Sequence, residues 1–438
     1  MPHPNQTDAL WHPFTQMAQW AESDNLTIAS GEGNWLIDTE GRKYLDGVSS
    51  LWINTFGHRR PEIDKAIRDQ LERIAHSTLL GLSNTPVAEL AQELVRITPA
   101  GLNHVFFGSD GASAVEAGMK IGLQYWQQRR DNPQPDKQAF VCYQGAYHGD
   151  TLGAVSVGDM PLFHGGYLPL LKTFKLPYPR IGDDLDTATS ELDKLLTEHG
   201  HEIAAVIIEP MMQCANGMIA MAPGYLKILR DACTQHDVLL IADEVAVGFG
   251  KTGKMFACDC KEISPDILVL GKGLTGGYLP VAATVVSDAL YDVFLGDYAE
   301  FRTFFHGHSF AGNPLGCAAA LANLKIFETD KVLARVQNII GQLRAHLEKF
   351  QMLPHVKEIR QCGVMVGIEL AKNPAAGKPY PPDLQIGHQV HLAARKRNVL
   401  IRPLGPVIVL MPPLSITDDE LELLTNVTYE VIVEVTGD

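Results

Sequence analysis

Five short runs of apolar residues, uninterrupted by polar ones, lie between residues 105 and 270. They occupy residues 105–107, 140–143, 204–208, 238–242 and 267–270. Amphipathic segments such as 115–128 and 225–235 separate them. Strands that are apolar throughout, with helices between them, are typical of a parallel sheet covered on both faces. The pattern therefore predicts an α/β fold built on one large, mostly parallel sheet.

The two ends of the chain differ from this central stretch. The first 60 residues predict short strands and turns, and helices with one apolar stripe then begin at Pro61 and Pro86. After about residue 320 the pattern is helical, then mixed, with a final helix near 418–433. We predict a large domain over residues 66–324 and a small α+β domain formed by residues 1–65 with 325–438.

The charge and the cysteines of the chain argue against several classes of protein. Lys and Arg total 36 against 51 Asp and Glu, so the formal net charge is −15. An acidic surface is unsuited to nucleic acids and anionic membranes. No apolar run reaches the length of a membrane span, and the start at Met1 lacks the basic and apolar regions of a signal peptide. Seven scattered cysteines, with Cys258 and Cys260 lacking a second pair at zinc spacing, predict reduced thiols in a cytoplasm and no metal site.

Chemically unusual residues follow three of the predicted strands. Asp243 ends one strand, Lys272 follows another, and a Gly-Ser-Asp-Gly-Ala-Ser segment at 108–113 leads from a third into a helix. Ligands of parallel sheets collect at the carboxyl ends of the strands. One sheet edge would therefore present an acid, an amine and a helix N-terminus suited to phosphate.

Two interpretations compete for this set of residues. An apolar strand ending in Asp-Glu also resembles the magnesium-binding strand of a P-loop nucleotidase, and residues 250–252 match the last three letters of that loop. The match fails because the first glycine of the loop would have to be residue 245, which is valine. The other interpretation is a pyridoxal phosphate enzyme, in which a lysine holds the cofactor aldehyde and an acid faces its pyridine nitrogen. Glycines on both sides of Lys272 let a ligand approach the backbone closely.

Three motifs connect the chain to a known family. They are Gly-Ala-Tyr-His-Gly at 145–149, Ile-Ala-Asp-Glu-Val at 241–245 and Gly-Lys-Gly at 271–273. With these motifs in this order, the chain resembles the class III, fold-type I aminotransferases from end to end. The resemblance implies a large pyridoxal-phosphate-binding domain, a small α+β domain made by both chain ends, and a homodimer with two shared active sites.

The resemblance also implies roles for residues around the cofactor ring. Lys272 would attach the cofactor and then carry the proton during transamination. Asp243 would pair with the pyridinium nitrogen of the ring. Tyr147 would stack on one face of the ring, and Val245 would pack on the other.

A second set of implied residues would hold the cofactor phosphate. The phosphate would lie over the backbone N–H groups of Gly111 and Ala112 at the start of a helix. His308 and Ser309 complete the implied cofactor site, with Ser309 reaching the phosphate from the neighbouring subunit.

Three further segments, at 10–17, 306–315 and 401–405, resemble the branch of this family that serves biotin biosynthesis. That resemblance implies transamination of 8-amino-7-oxononanoate to 7,8-diaminononanoate. A guanidinium fork binds carboxylate at two points, so Arg402 is the implied partner of the distal carboxylate of the keto acid. The complete set of implied substrate-binding residues is Phe14, Leu51, Trp52, Tyr147, Gly307 and Arg402.

Four residues depart from the best-known form of this branch. Phe14 stands in place of a tyrosine, Leu51 of a tryptophan, Ala112 of a serine and Val247 of a threonine. The first two changes bear on the amino donor, and segments 303–309 and 359–361 are more similar to a branch that uses lysine. The donor therefore stays open between S-adenosylmethionine and lysine. An ω-amino-acid or amine transaminase with another substrate is the alternative.

Overall fold

The computed structural model describes residues 9–23, 25–167 and 169–437. The strands are β1 (Ile28–Glu32), β2 (Trp35–Asp38), β3 (Lys43–Asp46), β4 (Leu102–Gly108), β5 (Ala139–Tyr143), β6 (Thr173–Leu176), β7 (Ile203–Ile208), β8 (Met212–Gln213), β9 (Ile219–Ala220), β10 (Leu239–Asp243), β11 (Ile267–Leu270), β12 (Ala282–Ser287), β13 (Val356–Cys362), β14 (Met365–Leu370), β15 (Val399–Leu400), β16 (Arg402–Leu404) and β17 (Val407–Leu410). The helices are α1 (Met17–Glu22), α2 (Ser49–Trp52), α3 (Pro61–Leu71), α4 (Thr85–Ile97), α5 (Gly111–Gln128), α6 (Leu152–Ser156), α7 (Pro161–His164), α8 (Leu185–His199), α9 (Tyr225–Gln235), α10 (Asp288–Asp292), α11 (Pro314–Thr329), α12 (Val332–Leu347), α13 (Ile386–Lys396) and α14 (Asp418–Thr436). Short 3₁₀ helices lie at Cys258–Lys261, Lys272–Thr275, Tyr298–Glu300, Glu348–Met352 and Pro382–Leu384.

The centre of the fold is a seven-stranded sheet in the order β4-β12-β11-β10-β7-β5-β6. Each of the five apolar runs lies in one of its strands, and every residue of β5, β7, β10 and β11 is buried. Only β12 runs antiparallel to its neighbours, β4 and β11. The predicted mostly parallel sheet is therefore confirmed. Its central strands are mostly apolar because helices cover both faces of the sheet.

Helix α5 positions the first turn that faces the carboxyl edge of this sheet. The Asp110 carboxylate accepts from the backbone N–H of Ser113 at 2.9 Å, and the Ser113 hydroxyl accepts from the N–H of Asp110 at 3.2 Å. This capping box satisfies two of the donors that a helix start leaves free. The N–H groups of the next residues stay available to a ligand.

The chain ends meet in a four-stranded sheet, β1-β2-β3-β15, where β15 pairs parallel with β3. A second four-stranded sheet, β13-β14-β17-β16, is antiparallel and comes from the C-terminal part alone. The meeting of β3 and β15 supports the predicted small discontinuous domain. Its boundaries, residues 1–65 with 325–438 against 66–324, stay a prediction.

The sequence predicts that the chain has no membrane-spanning helix and that its cysteines are reduced. No helix among residues 9–23, 25–167 and 169–437 is long and apolar enough to cross a membrane. All seven cysteines are free thiols, and five of them are buried. Residues 1–8, on which the prediction about a signal peptide rests, lie outside the described residues.

Candidate active site

A cavity of about 460 Å³ opens at the carboxyl ends of β10 and β11, beside the start of α5. It brings together residues that are far apart in the sequence. Seven predicted site residues line it: Trp52, Gly111, Ala112, Tyr147, Asp243, Val245 and Lys272. The acid, the amine and the helix N-terminus therefore face one space, as the strand-end argument predicted.

Lys272 follows β11 after Gly271 and begins a 3₁₀ helix with a left-handed backbone, φ 41°. Its ammonium nitrogen Nζ lies 5.2 Å from the centre of the Trp52 ring. A Cβ on Gly271 would lie 3.3 Å from a methyl group of Val245, and one on Gly111 would lie 2.7 Å from the same side chain. Because these two positions are glycines, the end of β11, the start of α5 and the Val245 side chain can pack closely around the cavity.

The Asp243 carboxylate is buried and held at both oxygens. Oδ1 accepts from the backbone N–H of Val245 at 3.0 Å, and Oδ2 lies 2.7 Å from Nδ1 of His148. The other ring nitrogen of His148, Nε2, is buried and has no hydrogen-bond partner within the described part of the chain. The carboxylate is thus fixed in orientation at the edge of the cavity.

Tyr147 contacts two further carboxyl groups that line the cavity. Its hydroxyl donates to Asp150 Oδ2 at 2.7 Å, and its backbone N–H donates to Glu209 Oε2 at 3.1 Å. Burial and the hydrogen bond to Asp150 raise the pKa of the Tyr147 phenol well above its ordinary value. This side chain is therefore a neutral hydrogen-bond donor over the whole working range of pH.

Lys251 is a buried amine without an acidic partner among the described residues. Its Nζ donates to the carbonyl oxygens of Trp52 and Ala246, the second at 3.3 Å. Burial, and then the like charge of Lys272, lowers the pKa of Lys251 to about 7. The link to Trp52 stabilises α2, which is in fact a single left-handed turn: all four residues of the turn Ser49–Trp52 have φ angles between 47° and 73°.

The remaining predicted residues do not line this cavity. Phe14, Leu51 and Arg402 line a second cavity of about 960 Å³ between α1, the turn Ser49–Trp52 and β16. The turn contributes Trp52 to the first cavity and Leu51 to the second. Arg402 is exposed there. The predicted substrate residues thus divide between two neighbouring cavities.

Gly307, His308 and Ser309 are exposed on a loop of the single chain and line neither cavity. Their predicted roles need a neighbouring subunit. Val247 is buried in the same apolar cluster as Trp52 and lines neither cavity. Its departure from threonine is therefore a change in packing.

Sequence reasoning overlooked four side chains at or behind the first cavity: His148, Asp150, Glu209 and His164. Glu209 follows the apolar strand β7 directly, so the rule that selected Asp243 applies to it as well. His148 and Asp150 lie in or beside the motif at 145–149. His164 has no sequence signal, because its place behind Tyr147 depends on how α7 packs.

Glu209 makes the stability of this chain depend on pH. Burial raises its pKa from 4.5 to about 7, so between these values the unfolded chain ionises the group while the folded chain keeps the proton. The group therefore costs stability as pH rises through this window. Glutamine does not ionise, so Glu209→Gln should remove this loss. We expect the free energy of unfolding of the variant, measured relative to that of the original chain, to be roughly 3 kcal/mol higher at pH 8 than at pH 4.

Urea unfolding of the cofactor-free protein at the two pH values measures this difference. Glu198→Gln, on the exposed part of α8, is the matched control. An equal pH dependence in both variants would contradict the assignment to burial of Glu209.

Comparison with known proteins decides the family. Residues 17–432 match the model of the aminotransferase class-III family. The chain belongs to the class III aminotransferases. These enzymes depend on pyridoxal 5'-phosphate.

Curated relatives match this class III aminotransferase over almost its whole length. It is 52% identical to the adenosylmethionine-8-amino-7-oxononanoate aminotransferase of Nitratidesulfovibrio vulgaris, over 98% of this chain and 80% of that protein. It is 47% identical to the protein of the same name from Geobacter sulfurreducens, over 98% and 96%.

Solved structures of class III aminotransferases superimpose closely on this one. The adenosylmethionine-8-amino-7-oxononanoate aminotransferase of Methanocaldococcus jannaschii has a TM-score of 0.93 at 46% identity, over 97% of both chains. An (S)-enantioselective omega-transaminase from Thermomicrobium roseum has a TM-score of 0.91 at 32% identity, over 97% of this chain and 96% of that one.

The cavity of this aminotransferase fits pyridoxal phosphate. A buried, doubly held Asp243 suits a protonated ring nitrogen, and Lys272 supplies an amine within the same space. The uncapped N–H groups at the start of α5 suit a phosphate. The cavity could not accept a side chain at Gly111, where a Cβ would collide with Val245.

Proposed function

We propose that this aminotransferase converts 8-amino-7-oxononanoate to 7,8-diaminononanoate in biotin biosynthesis, with S-adenosylmethionine or lysine as the amino donor. The observation that carries the proposal is the identity of 52% and 47%, over almost the whole chain, to relatives named for this reaction. The complete set of Lys272, Asp243 and Tyr147 in one cavity supports it.

Bound in this cavity, pyridoxal phosphate supplies an aldehyde that accepts the amino group and a ring that takes up the electron pair left by a departing proton. Lys272 attaches the cofactor and then, as a free amine, takes the proton from the carbon that bears the amino group. It would pass that proton to the aldehyde carbon of the cofactor, and in the second half-reaction it would move a proton from that carbon to the substrate carbon that receives the amino group. The left-handed turn at Lys272 directs the side chain into the cavity.

Asp243 and the start of α5 hold the two ends of the cofactor. The Asp243 carboxylate keeps a negative charge beside the ring nitrogen, and His148 and the N–H of Val245 prevent it from turning away. The N–H groups of Gly111 and Ala112 hold the phosphate, aided by the positive end of the helix dipole. Tyr147 and Val245 exclude water from the two faces of the ring.

A homodimer with shared active sites is part of the proposal. Leu80, Phe305 and Phe310 have 89%, 73% and 66% of their surface exposed in the single chain. Exposed apolar side chains that lie together on a surface mark sites of protein association, and Phe305 and Phe310 are five positions apart in one segment. Phe305 and Phe310 flank the loop of Gly307, His308 and Ser309, so a second copy seated there would receive Ser309 at its phosphate site.

The proposed location is the cytoplasm, which the free thiols of all seven cysteines support. The proposed domain division, with the small domain formed by both chain ends, would let the C-terminal part close over the two cavities. Arg402 lies in that part, on β16.

Arg402 is the proposed partner of the distal carboxylate of the keto acid. It lines the second cavity beside Leu51. Because a charge-assisted bidentate hydrogen bond contributes about 1.5–3 kcal/mol, we expect Arg402→Ala to raise the KM for 8-amino-7-oxononanoate by roughly 10- to 100-fold. Steady-state kinetics with both substrates measures this change. An equal rise in the KM of the amino donor would show that Arg402 has a structural role instead.

The experiment that tests the function mixes the purified holoenzyme with one donor at a time and follows the absorbance of the bound cofactor. The correct donor should remove the aldehyde band, and 8-amino-7-oxononanoate should restore it. The donor is the compound, S-adenosylmethionine or lysine, that removes the aldehyde band before 8-amino-7-oxononanoate restores it. No spectral change with 8-amino-7-oxononanoate after any donor would contradict the biotin-pathway assignment.

An amine transaminase with another substrate is the second candidate. It is favoured by Phe14 and Leu51, which lack the hydroxyl and the indole of the common donor site, and by the likeness to the Thermomicrobium roseum omega-transaminase. Recovery of the band with other oxo acids or ketones, and not with 8-amino-7-oxononanoate, would support this candidate.

A further inference from the structure

The Asp150 carboxylate lies between two side chains behind the cofactor cavity. Its Oδ2 accepts from the hydroxyl of Tyr147 at 2.7 Å, and its Oδ1 lies 3.0 Å from Nε2 of His164. Half of the Asp150 side chain, which lines the cavity, is exposed to solvent, whereas only 9% of the His164 side chain is exposed. A buried imidazole thus contacts a carboxylate that also holds the tyrosine proposed to cover the cofactor ring.

Among the described residues, the His164 ring makes its one hydrogen bond to Asp150. Because a carboxylate oxygen accepts, Nε2 carries the hydrogen of this bond. The second ring nitrogen, Nδ1, is buried and has no hydrogen-bond partner in residues 9–23, 25–167 and 169–437. Burial of the unpaired Nδ1 costs stability, so the hydrogen bond from Nε2 to Asp150 is the polar contact that offsets the burial of this ring.

His164 stands behind Tyr147 and does not line the cavity. It is the last residue of α7, and its ring centre is 5.8 Å from that of Tyr147 with an angle of 22° between the planes. It therefore reaches the cavity only through Asp150 and through the back of the tyrosine ring.

We propose that His164 is a positioning residue that fixes the Asp150 carboxylate and, through it, the hydroxyl of Tyr147 over the cofactor cavity. Without the imidazole, the half-exposed carboxylate can turn toward water and release the tyrosine. The inference rests on the proposed use of this cavity for pyridoxal phosphate. It adds a residue that neither the motif at 145–149 nor the strand-end rule contains.

A double-mutant cycle on the reconstituted protein tests the proposal. His164→Phe keeps a ring behind Tyr147 and removes the N–H donor, whereas His164→Gln keeps a donor without the ring. We expect His164→Phe to raise the dissociation constant of pyridoxal phosphate about fivefold and the KM of the amino donor about fivefold. His164→Gln should bring both constants most of the way back to their original values. In a Tyr147→Phe background, which lacks the hydroxyl, His164→Phe should cost less than about twofold.

His236 offers a matched control, because its Nε2 lies 3.0 Å from Asp193 on α8, away from the cavity. His236→Phe should leave both quantities unchanged. If His164→Phe does not fold, as judged by its thermal unfolding, His164→Asn takes its place in the cycle. It is smaller and too short to reach Asp150.

Two results would overturn the proposal. One is an equal cost of His164→Phe with and without the Tyr147 hydroxyl, which indicates packing alone. The other is a glutamine variant no better than the phenylalanine variant. Cofactor affinity is read without any substrate, so these results are distinguishable from a failure of the proposed transamination, which appears as absent turnover in the original chain.

Discussion

Lys272→Ala should abolish the covalent, borohydride-reducible attachment of pyridoxal phosphate and lower turnover by on the order of 10²- to 10⁴-fold. Among the residues that the structure describes, Lys272 is the only lysine that lines the first cavity, and its amine would both attach the cofactor and carry the proton. Cofactor should still bind without a covalent bond, because Asp243 and the start of α5 stay in place. Mass spectrometry of the borohydride-reduced, digested protein measures the attachment.

Lys251→Met is the informative comparison for this variant. Lys251 is a buried amine that donates to the carbonyl of Trp52, a residue that lines the cavity, and burial lowers its pKa to about 7. We expect Lys251→Met to retain the covalent adduct on Lys272. An adduct that survives in Lys272→Ala and maps to Lys251 would show that the attachment point is wrong.

The strand-end rule explains why so much of the site could be predicted from sequence. Buried parallel strands are apolar throughout, so a charged residue at the end of such a strand is conspicuous, as Asp243 and Lys272 are. The same rule selects Glu209 after β7, which the sequence analysis did not use. The order of the motifs then supplied the family, and with it the fold of the chain ends.

Other features have no local signal in the sequence. The left-handed turn Ser49–Trp52 contains no glycine, and contacts from distant residues hold it: the Ser49 hydroxyl donates to the Met411 carbonyl at 2.6 Å, and Lys251 donates to that of Trp52. The pairing of β3 with β15 joins residues more than 350 positions apart. Such features depend on tertiary packing, which periodicity and propensity do not report.

The second large effect is expected from Asp243→Asn. The variant keeps the shape and the possible hydrogen bonds to His148 and Val245 but loses the negative charge that stabilises a protonated cofactor ring. The ring then accepts the electron pair poorly, so kcat should fall by on the order of 10²- to 10⁴-fold while the KM values change little. Half-reaction kinetics and the absorbance of the bound cofactor measure both the rate and the state of the ring.

Asp266 is the matched acid at the opposite edge of the same sheet. Its Oδ2 accepts from the N–H of Leu240 at 2.7 Å and pairs with Arg230 at 2.8 Å, so Asp266→Asn should change stability and leave kcat within about threefold. Asp243→Glu, which restores the charge but moves it by one methylene, should recover part of the lost rate. If Asp243→Asn retained a kcat within threefold of the original chain, the charge at this strand end would have no part in the chemistry. The buried carboxylate would then serve only to hold His148 and the N–H of Val245 in place.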